Sequence, residues 1–388
     1  MDFTLSEEQR AIVGLAESVA GNLPTKHVGD GYPFEITRTF HDVGLTGIAL
    51  PVEDGGQGAT LLDSVLAIEA VARVRPRAAD MLQATNFGAV RQIAAFGTPE
   101  QRERYLTPVL RGEKLVTVGM TEPEAGSAAS DLRTKARLEE DVVVLDGTKV
   151  FNSDGPFATH HVIWARFGDD VGSIGSVIVP VDAPGFEHGR SEQFLSGEFY
   201  CSLIMEDCRV PADHVLIRED GFRKMMSQFN VERLGNAARA LGCGQRALDL
   251  AVEYAKARNQ FGRPLAEFQG LQWKLADVEL ALESARLLLY RAASAAEATP
   301  SAKDTALAKL ACNEAGYKAA DTGLQIFGGF GFSTESELGY LLTRTRAWMV
   351  AGGSVEMLRN RIAEGLFEQR FSQRRQRVPA GAGTGPEA

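Results

Sequence analysis

The residue types most able to do chemistry on their own are sparse in this sequence, and their spacing excludes several chemistries. Cys201, Cys208, Cys243 and Cys312 include no pair in CxxC spacing, so neither a zinc knuckle nor a dithiol redox centre is expected. A chain of 388 residues with no secretory start is better read with reduced thiols than with disulfides. The six histidines are scattered. The one adjacent pair, His160–His161, would point to opposite faces of a strand, and no metal site is expected. Arg370, Arg374, Arg375 and Arg377 cluster near the C-terminus and read as a solvated helix end. A formal net charge of -10 disfavours phosphate-backbone binding, which needs Lys and Arg to displace counterions. It leaves room for a small anionic ligand in a local basic pocket.

The elements that must position any site follow from hydrophobic patterning. Hydrophobic residues make up 44% and charged residues 24%, so a large core and two or three units are expected. No window reaches the roughly 18 apolar residues of a membrane span. The start, MDFTLSEEQRAIVGLAESVA, resembles neither a signal nor a transit peptide, and a cytoplasmic location is expected. From Thr4 to about Leu110 the pattern is helical, with Ser6 as an N-cap, an apolar Ile12, Leu15, Ala16, Val19 face, and a helix over Leu61–Val74. A glycine-rich loop, Pro51 to Gly58, lies between them. Short β-branched runs at 142–145, 162–165 and 176–180 mark a β unit, with Asp146-Gly147 as a hairpin turn. Long helices return over Phe222–Arg258, Leu271–Ala296 and Lys303–Gly323. The expected division is residues 1–115 all-α, 116–218 β, 219–372 a helical bundle, and a disordered tail at 373–388.

Several segments then line up with one known family. Val90 to Ser127 reads VRQIAAFGTPEQRERYLTPVLRGEKLVTVGMTEPEAGS, which closely resembles the acyl-CoA dehydrogenase signature. Lys149-Val-Phe-Asn-Ser153, Glu206-Asp-Cys-Arg-Val-Pro211, Arg258-Asn-Gln-Phe-Gly-Arg-Pro264 with Phe268-Gln269, Gln325-Ile-Phe-Gly-Gly329 and Gly352-Gly-Ser354 resemble further segments of that family, in order. The resemblance covers about residues 2 to 370. It implies an α+β multi-domain fold: an N-terminal all-α domain, a middle β-barrel-like domain and a C-terminal four-helix bundle, in a homotetramer built from dimers. It also implies bound FAD and an activity in fatty acid metabolism. The α-proton of an acyl thioester goes to a carboxylate and the β-hydrogen leaves as hydride to the flavin.

The resemblance also assigns residues. The family's usual base position falls on Gly352, which has no side chain. Isovaleryl-CoA and long-chain members instead carry the base in a Glu-Arg pair on a bundle helix, which matches Glu232–Arg233 here. Glu232 is therefore the expected base, against the plainer reading of a surface Glu paired with a Lys or Arg. Gly352 is expected to leave room for that carboxylate and to offer its N–H to the thioester carbonyl. Asn230, Arg233, Ser127, Gly352 and Gly353 are the expected substrate contacts. Val118, Met120, Thr121, Ser127, Phe151 and Ser153 are expected to line the flavin. Arg258, Phe261, Gln269, Gln325, Gly328, Gly329, Ser354 and Glu356 are expected along its pyrophosphate and adenosine half, Arg258 reaching across a dimer interface. Departures from the family pattern stand at Ala128, Asn152 and 194–201, and bear on the substrate.

Acyl-CoA and an acyl group on a carrier protein remain alternative substrates. An electron-transferring flavoprotein is the expected acceptor. A relative with reductase, oxidase or monooxygenase-like chemistry, or a non-enzymatic FAD-containing DNA binder, are the competing readings. Retention of Glu232 disfavours most of the former, and the negative charge disfavours the latter.

Overall fold

The computed structural model describes residues 4–24, 31–294 and 300–371. The tail at 373–388, with Arg374, Arg375 and Arg377, lies outside the described residues. Seven helices come first: α1 (Glu7–Asn22), α2 (Phe34–Asp42), α3 (Leu61–Val74), α4 (Ala78–Asn86), α5 (Ala89–Phe96), α6 (Pro99–Gln101) and α7 (Thr107–Leu110), the last two joined by a π-helical stretch, Arg102–Leu106. Their starts are written in the sequence. Ser6 and Gln9, then Thr60 and Asp63, form reciprocal capping boxes at α1 and α3.

The middle unit carries β1 (Val116–Gly119), β2 (Lys135–Glu139), β3 (Val142–Ser153), β4 (His160–Arg166), β5 (Ile174–Pro180), β6 (Phe186–His188), β7 (Glu192–Gln193), β8 (Phe199–Pro211) and β9 (Val215–Ile217). They form one nine-stranded sheet with the path β6-β8-β3-β2-β4-β5-β9, β1 beside β4 and β7 beside β8. Asp146-Gly147 is not the hairpin turn expected of it. The β2–β3 turn falls at Glu140–Asp141, and Gly147 lies inside β3, where the register with β8 shifts. A Cβ on Gly147 would come within 2.5 Å of the Thr134 hydroxyl at φ +148°. This glycine therefore marks a bulge and a close approach rather than a reversal.

The third unit is built on α8 (Gly221–Ala257), followed by a small hairpin, β10 (Asn259–Gln260) and β11 (Arg263–Pro264), then α9 (Gln269–Ser294), α10 (Ala302–Phe327), α11 (Glu337–Trp348) and α12 (Val355–Phe367). Helices α8 and α10 approach closely because small residues face each other. A Cβ on Gly244 would sit 2.7 Å from the Gly316 Cα, and one on Gly316 would sit 2.4 Å from the Ala240 carbonyl. The largest apolar core runs from α1 and α3 through α8, α9 and α10, so the first and third units share it. The three-part order is that expected from the sequence.

Candidate active site

Glu232 sits on α8, half-buried. Among the described residues its carboxylate enters no ion pair, which sets aside the reading of a surface Glu paired with a neighbour. Burial pushes its pKa above the usual carboxylate value, opposed by the charges of Arg239, Arg233 and Lys309. One residue along, Arg233 is buried, lies over the Phe229 ring at 5.1 Å, and donates to Asn230 Oδ1 at 2.6 Å and to the Gly352 carbonyl at 3.2 Å. The expected base, Asn230, Arg233 and the Gly352–Gly353 turn are thus brought to one place. Asn230 and Arg233 hold each other and the turn.

Gly352 does not leave the open space expected of it. Its φ is +71°, and a Cβ there would lie 2.8 Å from Asn236 Nδ2 and 3.2 Å from Lys309 Cε. The glycine is required by a left-handed backbone and by the approach of these two side chains. Gly353 is also left-handed, at φ +96°, with Arg233 Nη2 3.2 Å from its would-be Cβ. Among the described residues nothing accepts from the N–H groups of Gly352, Gly353 or Ser354. The free Gly352 N–H is what the expected contact with a thioester carbonyl requires. Ser354 caps α12 by accepting from Met357 N, and Glu356 follows, exposed, in its first turn.

Sequence reasoning missed Lys309 and Asn236. Lys309 is completely buried under the turn, donating to the Trp348 and Ala351 carbonyls at 2.8 Å each and to the Gly353 carbonyl at 3.2 Å. Asn313, one turn along α10, also donates to the Trp348 carbonyl, at 2.7 Å. The signal was a lysine at a core position of α10, among Thr305, Ala308, Cys312 and Gly316, all of which are buried. Asn236 carried none; it follows Glu232 by one helical turn.

The expected flavin-lining residues lie on two adjoining segments of the sheet. Val118, on β1, and Met120 and Thr121, just beyond it, are half-buried; Phe151 and Ser153, at the end of β3, are exposed. The segments are tied together. Val150 N donates to the Thr121 carbonyl at 2.9 Å, and the buried Lys149 ammonium meets Glu122 at 2.7 Å. Asn152, one of the departures from the family pattern, finds polar partners. Its amide donates to the Val118 carbonyl at 3.0 Å and accepts from the Thr117 hydroxyl at 2.8 Å. Thr117 contacts His161 Nδ1 at 2.8 Å, and His161 Nε2 lies 2.9 Å from His188 Nε2. Burial holds His161 near a pKa of about 3, so it is a neutral member of this chain. His160 turns the other way, edge-on to Tyr105 at 5.1 Å. Ser127 is exposed in the loop after β1.

Phe151 fits a flavin-facing position. It is 60% exposed with φ +56°, and its ring lies 5.7 Å from that of Tyr200. A separate groove of about 500 Å³ is lined by Tyr254, Ala257, Arg258, Phe327, Gly329 and Phe330. Arg258 forms no ion pair among the described residues, so an exposed guanidinium, three aromatic rings and an unobstructed glycine stand ready for an anionic, aromatic ligand such as the adenosine pyrophosphate of FAD. Gln325 and Gly328 flank this groove along the chain, Gly328 donating to the Gln325 carbonyl at 3.2 Å as α10 ends. Phe261 and Gln269 do not line it. Phe261 stands 94% exposed at the tip of the β10–β11 hairpin, and Gln269 opens α9.

A buried ionic cluster joins the three units near the base. Asp80 on α4 accepts from Arg77 at 3.0 Å, from Arg239 on α8 at 2.6 Å and from Arg344 on α11 at 2.7 Å. Against the upward push of burial, the three guanidiniums hold Asp80 well below the usual carboxylate range. Arg77 reaches Asp154, just past β3, at 2.8 Å, and Arg344 approaches Glu198 at 3.3 Å. Arg239 also donates to Asn236, the residue that abuts Gly352.

Comparison with known proteins identifies the family. The models described as acyl-CoA dehydrogenase N-terminal, middle and C-terminal domains match residues 6–113, 117–208 and 219–367. Over 386 residues the chain is 36% identical to the 3-sulfinopropanoyl-CoA desulfinase of Paraburkholderia xenovorans, covering 96% of this chain and 99% of that protein. Its fold superposes on butyryl-CoA dehydrogenase from Megasphaera elsdenii with a TM-score of 0.89 at 32% identity, covering 95% and 100% of the two chains. The same score, identity and coverage hold for a chain solved in work on the electron transferring flavoprotein of Acidaminococcus fermentans. With three domain models in register over nearly its whole length, the chain belongs to the acyl-CoA dehydrogenase family of FAD-dependent oxidoreductases acting on CH–CH groups.

Proposed function

We propose that the protein dehydrogenates an acyl-CoA between the α and β carbons, with Glu232 removing the α-proton. The observation that carries this is a half-buried carboxylate of raised proton affinity, in no ion pair among the described residues, on the helix whose next residue grips the Gly352 turn. A buried base is less stabilised by water and so a better proton acceptor at the moment of transfer. The free N–H of Gly352 stabilises the negative charge that develops on the thioester oxygen as the proton leaves. Arg233 and Asn230 fix the turn that presents it. The Val118–Thr121 and Phe151–Ser153 segments would hold the flavin end of FAD and the Arg258 groove its adenosine end, and the bound cofactor would supply the hydride acceptor. The test is anaerobic mixing of the yellow holoenzyme with short, branched, aromatic and long acyl-CoAs, for wild type and Glu232→Gln. Bleaching by one class that is lost in the variant supports the assignment; bleaching that survives the substitution removes Glu232 from it.

Desulfination of an anionic acyl-CoA is a second reading, favoured by the 36% identity to a desulfinase. Against it, Arg239 and Arg344 are already taken by Asp80, and Arg233 is engaged by Asn230 and the Gly352 carbonyl. Adding 3-sulfinopropanoyl-CoA to the panel and assaying sulfite release decides between them.

The electron acceptor we infer is an electron-transferring flavoprotein, on the likeness to the Acidaminococcus chain. A homo-oligomer, a dimer of dimers, is supported by Trp273, Leu280 and Leu287, exposed at seven-residue steps along α9. The exposed Phe261 and the unpaired Arg258 beside it suit a reach to a neighbouring subunit. A cytoplasmic place in fatty acid metabolism fits four cysteines that are all free. No described helix is long and apolar enough to cross a membrane.

A further inference from the structure

The Gly352 turn is held in an unusual way, from inside, by cations. Lys309 Nζ takes the carbonyls of Trp348, Ala351 and Gly353, and Arg233 Nε takes that of Gly352. Three consecutive carbonyls, 351 to 353, are therefore bound by buried positive charge. In a trans peptide the N–H points opposite to the C=O of the same unit. Drawing these carbonyls inward turns the N–H groups of Gly352, Gly353 and Ser354 outward, and these are the groups with no acceptor among the described residues. A cation on a peptide oxygen also withdraws electron density and strengthens the N–H as a donor, because hydrogen-bonded groups polarise one another.

Burying a lysine with no carboxylate partner is costly. Lys309 meets no acid within ion-pair distance among the described residues, only carbonyls, and its environment does not explain its presence as packing. The charged groups that face it are Glu232, Arg233 and Arg239 on α8, with the Cys312 thiol on its own helix. Burial, reinforced by Arg233 and opposed by Glu232, brings its pKa down to about 7.

We propose that Lys309 is a positioning residue for the reaction: it orients and polarises the Gly352 peptide so that its N–H receives the thioester oxygen. This rests on the reading of Gly352 as the oxygen's donor, and the test separates the two. Acetyl-CoA carries the thioester carbonyl but has no β-hydrogen to lose; S-ethyl-CoA has the same reach without the carbonyl. Binding of each to the oxidised, FAD-loaded enzyme is measured by calorimetry for wild type, Lys309→Met, Lys309→Gln and Lys309→Arg. The wild type is expected to prefer acetyl-CoA by about tenfold, the size of one hydrogen bond to a polarised donor. Lys309→Met is expected to narrow the preference to under about threefold with S-ethyl-CoA affinity unchanged, and Lys309→Arg to restore most of it. Lys309→Gln, neutral and of similar length, gives the same answer if the methionine variant does not fold. In the wild type the preference should weaken as pH rises past about 7, where Lys309 loses its charge, and Lys309→Arg should keep it. A folded Lys309→Met or Lys309→Gln enzyme with the full preference overturns the role of Lys309 and leaves Gly352 standing. A wild type with no preference overturns the Gly352 reading, and this inference with it.

Discussion

Replacing Gly352 with alanine tests whether backbone conformation and the Asn236 contact, rather than vacant space, demand the glycine. At φ +71° a side chain costs about 1–2 kcal/mol. The new Cβ would also fall 2.8 Å from Asn236 Nδ2, closer than real contacts allow. Asn236 cannot simply swing aside, because its Oδ1 accepts from Arg239, which is itself fixed by Asp80. Moving it forfeits a hydrogen bond to a charged group, about 1.5–3 kcal/mol. The two terms sum to roughly 2.5–5 kcal/mol. The assay is denaturant unfolding of the FAD-loaded protein, followed by flavin fluorescence, for Gly352→Ala, Asn236→Ala and the double variant. Once Asn236 is truncated the steric term has gone, so the double variant should be less destabilised than the sum of the singles by about 1.5–3 kcal/mol. Strict additivity would refute the contact. A Gly352→Ala protein as stable as wild type would refute both terms.

Glu232→Gln should keep its FAD yet lose flavin reduction by acyl-CoA by at least about 10²–10⁴-fold, the usual contribution of a positioned base; stopped-flow bleaching reads it. Because burial raises the Glu232 pKa, the folded state favours the protonated carboxyl, and that contribution to stability is lost as pH rises from about 4.5 through the folded value. Glu232→Gln should therefore be the more stable protein at neutral pH, with the difference shrinking as pH falls towards about 4.5, measured by unfolding across that range. Arg258→Ala should weaken FAD retention on gel filtration while leaving secondary structure intact; unchanged retention would dissociate the groove from the cofactor. His161, neutral down to a pKa of about 3, is protonated sooner in the unfolded chain, so stability should fall as pH drops below about 6.5; His160, His188 and His214, also lowered by burial, add to that slope, and His161→Phe should make it shallower.

Helix identity and the order of the three units were legible because hydrophobic periodicity and capping residues are local signals. The Ser6 cap read from the sequence forms, in a box with Gln9; the Thr60–Asp63 box at α3 is of the same kind but was not singled out. Gly147 shows the limit of local signals. Asp-Gly is among the strongest local hairpin signals, yet here Thr134, thirteen positions away, decides that the glycine serves a bulge. At the site, Glu232, Arg233 and Gly352 were found through their motifs, but the reason for Gly352 was not. That reason lies in Asn236 and Lys309, which reach the turn from two other helices. A lysine at an apolar position of α10 was visible in the sequence; which three carbonyls it binds follows only from the crossing of α8 and α10. The polar chain that begins at Asn152 was equally hidden, since Thr117, which bonds it, and His161 and His188, which follow Thr117, come from β1, β4 and β6.

The cluster around Asp80 has a mechanical consequence. Its six charges come in pairs: Arg77 and Asp80 from the first unit, Asp154 and Glu198 from the sheet, Arg239 and Arg344 from the bundle. The first pair is neutral by itself, the sheet contributes two negatives and the bundle two positives. Sliding the sheet against the bundle would strip ions of partners inside a region that excludes water, where a bare charge costs several kcal/mol. The clamp is therefore stiff at the point where the strand carrying Phe151 meets the helix carrying Glu232. In the proposed reading the hydride acceptor and the proton acceptor stand on opposite faces of one carbon–carbon bond, and this cluster would fix the spacing between the segments that carry them.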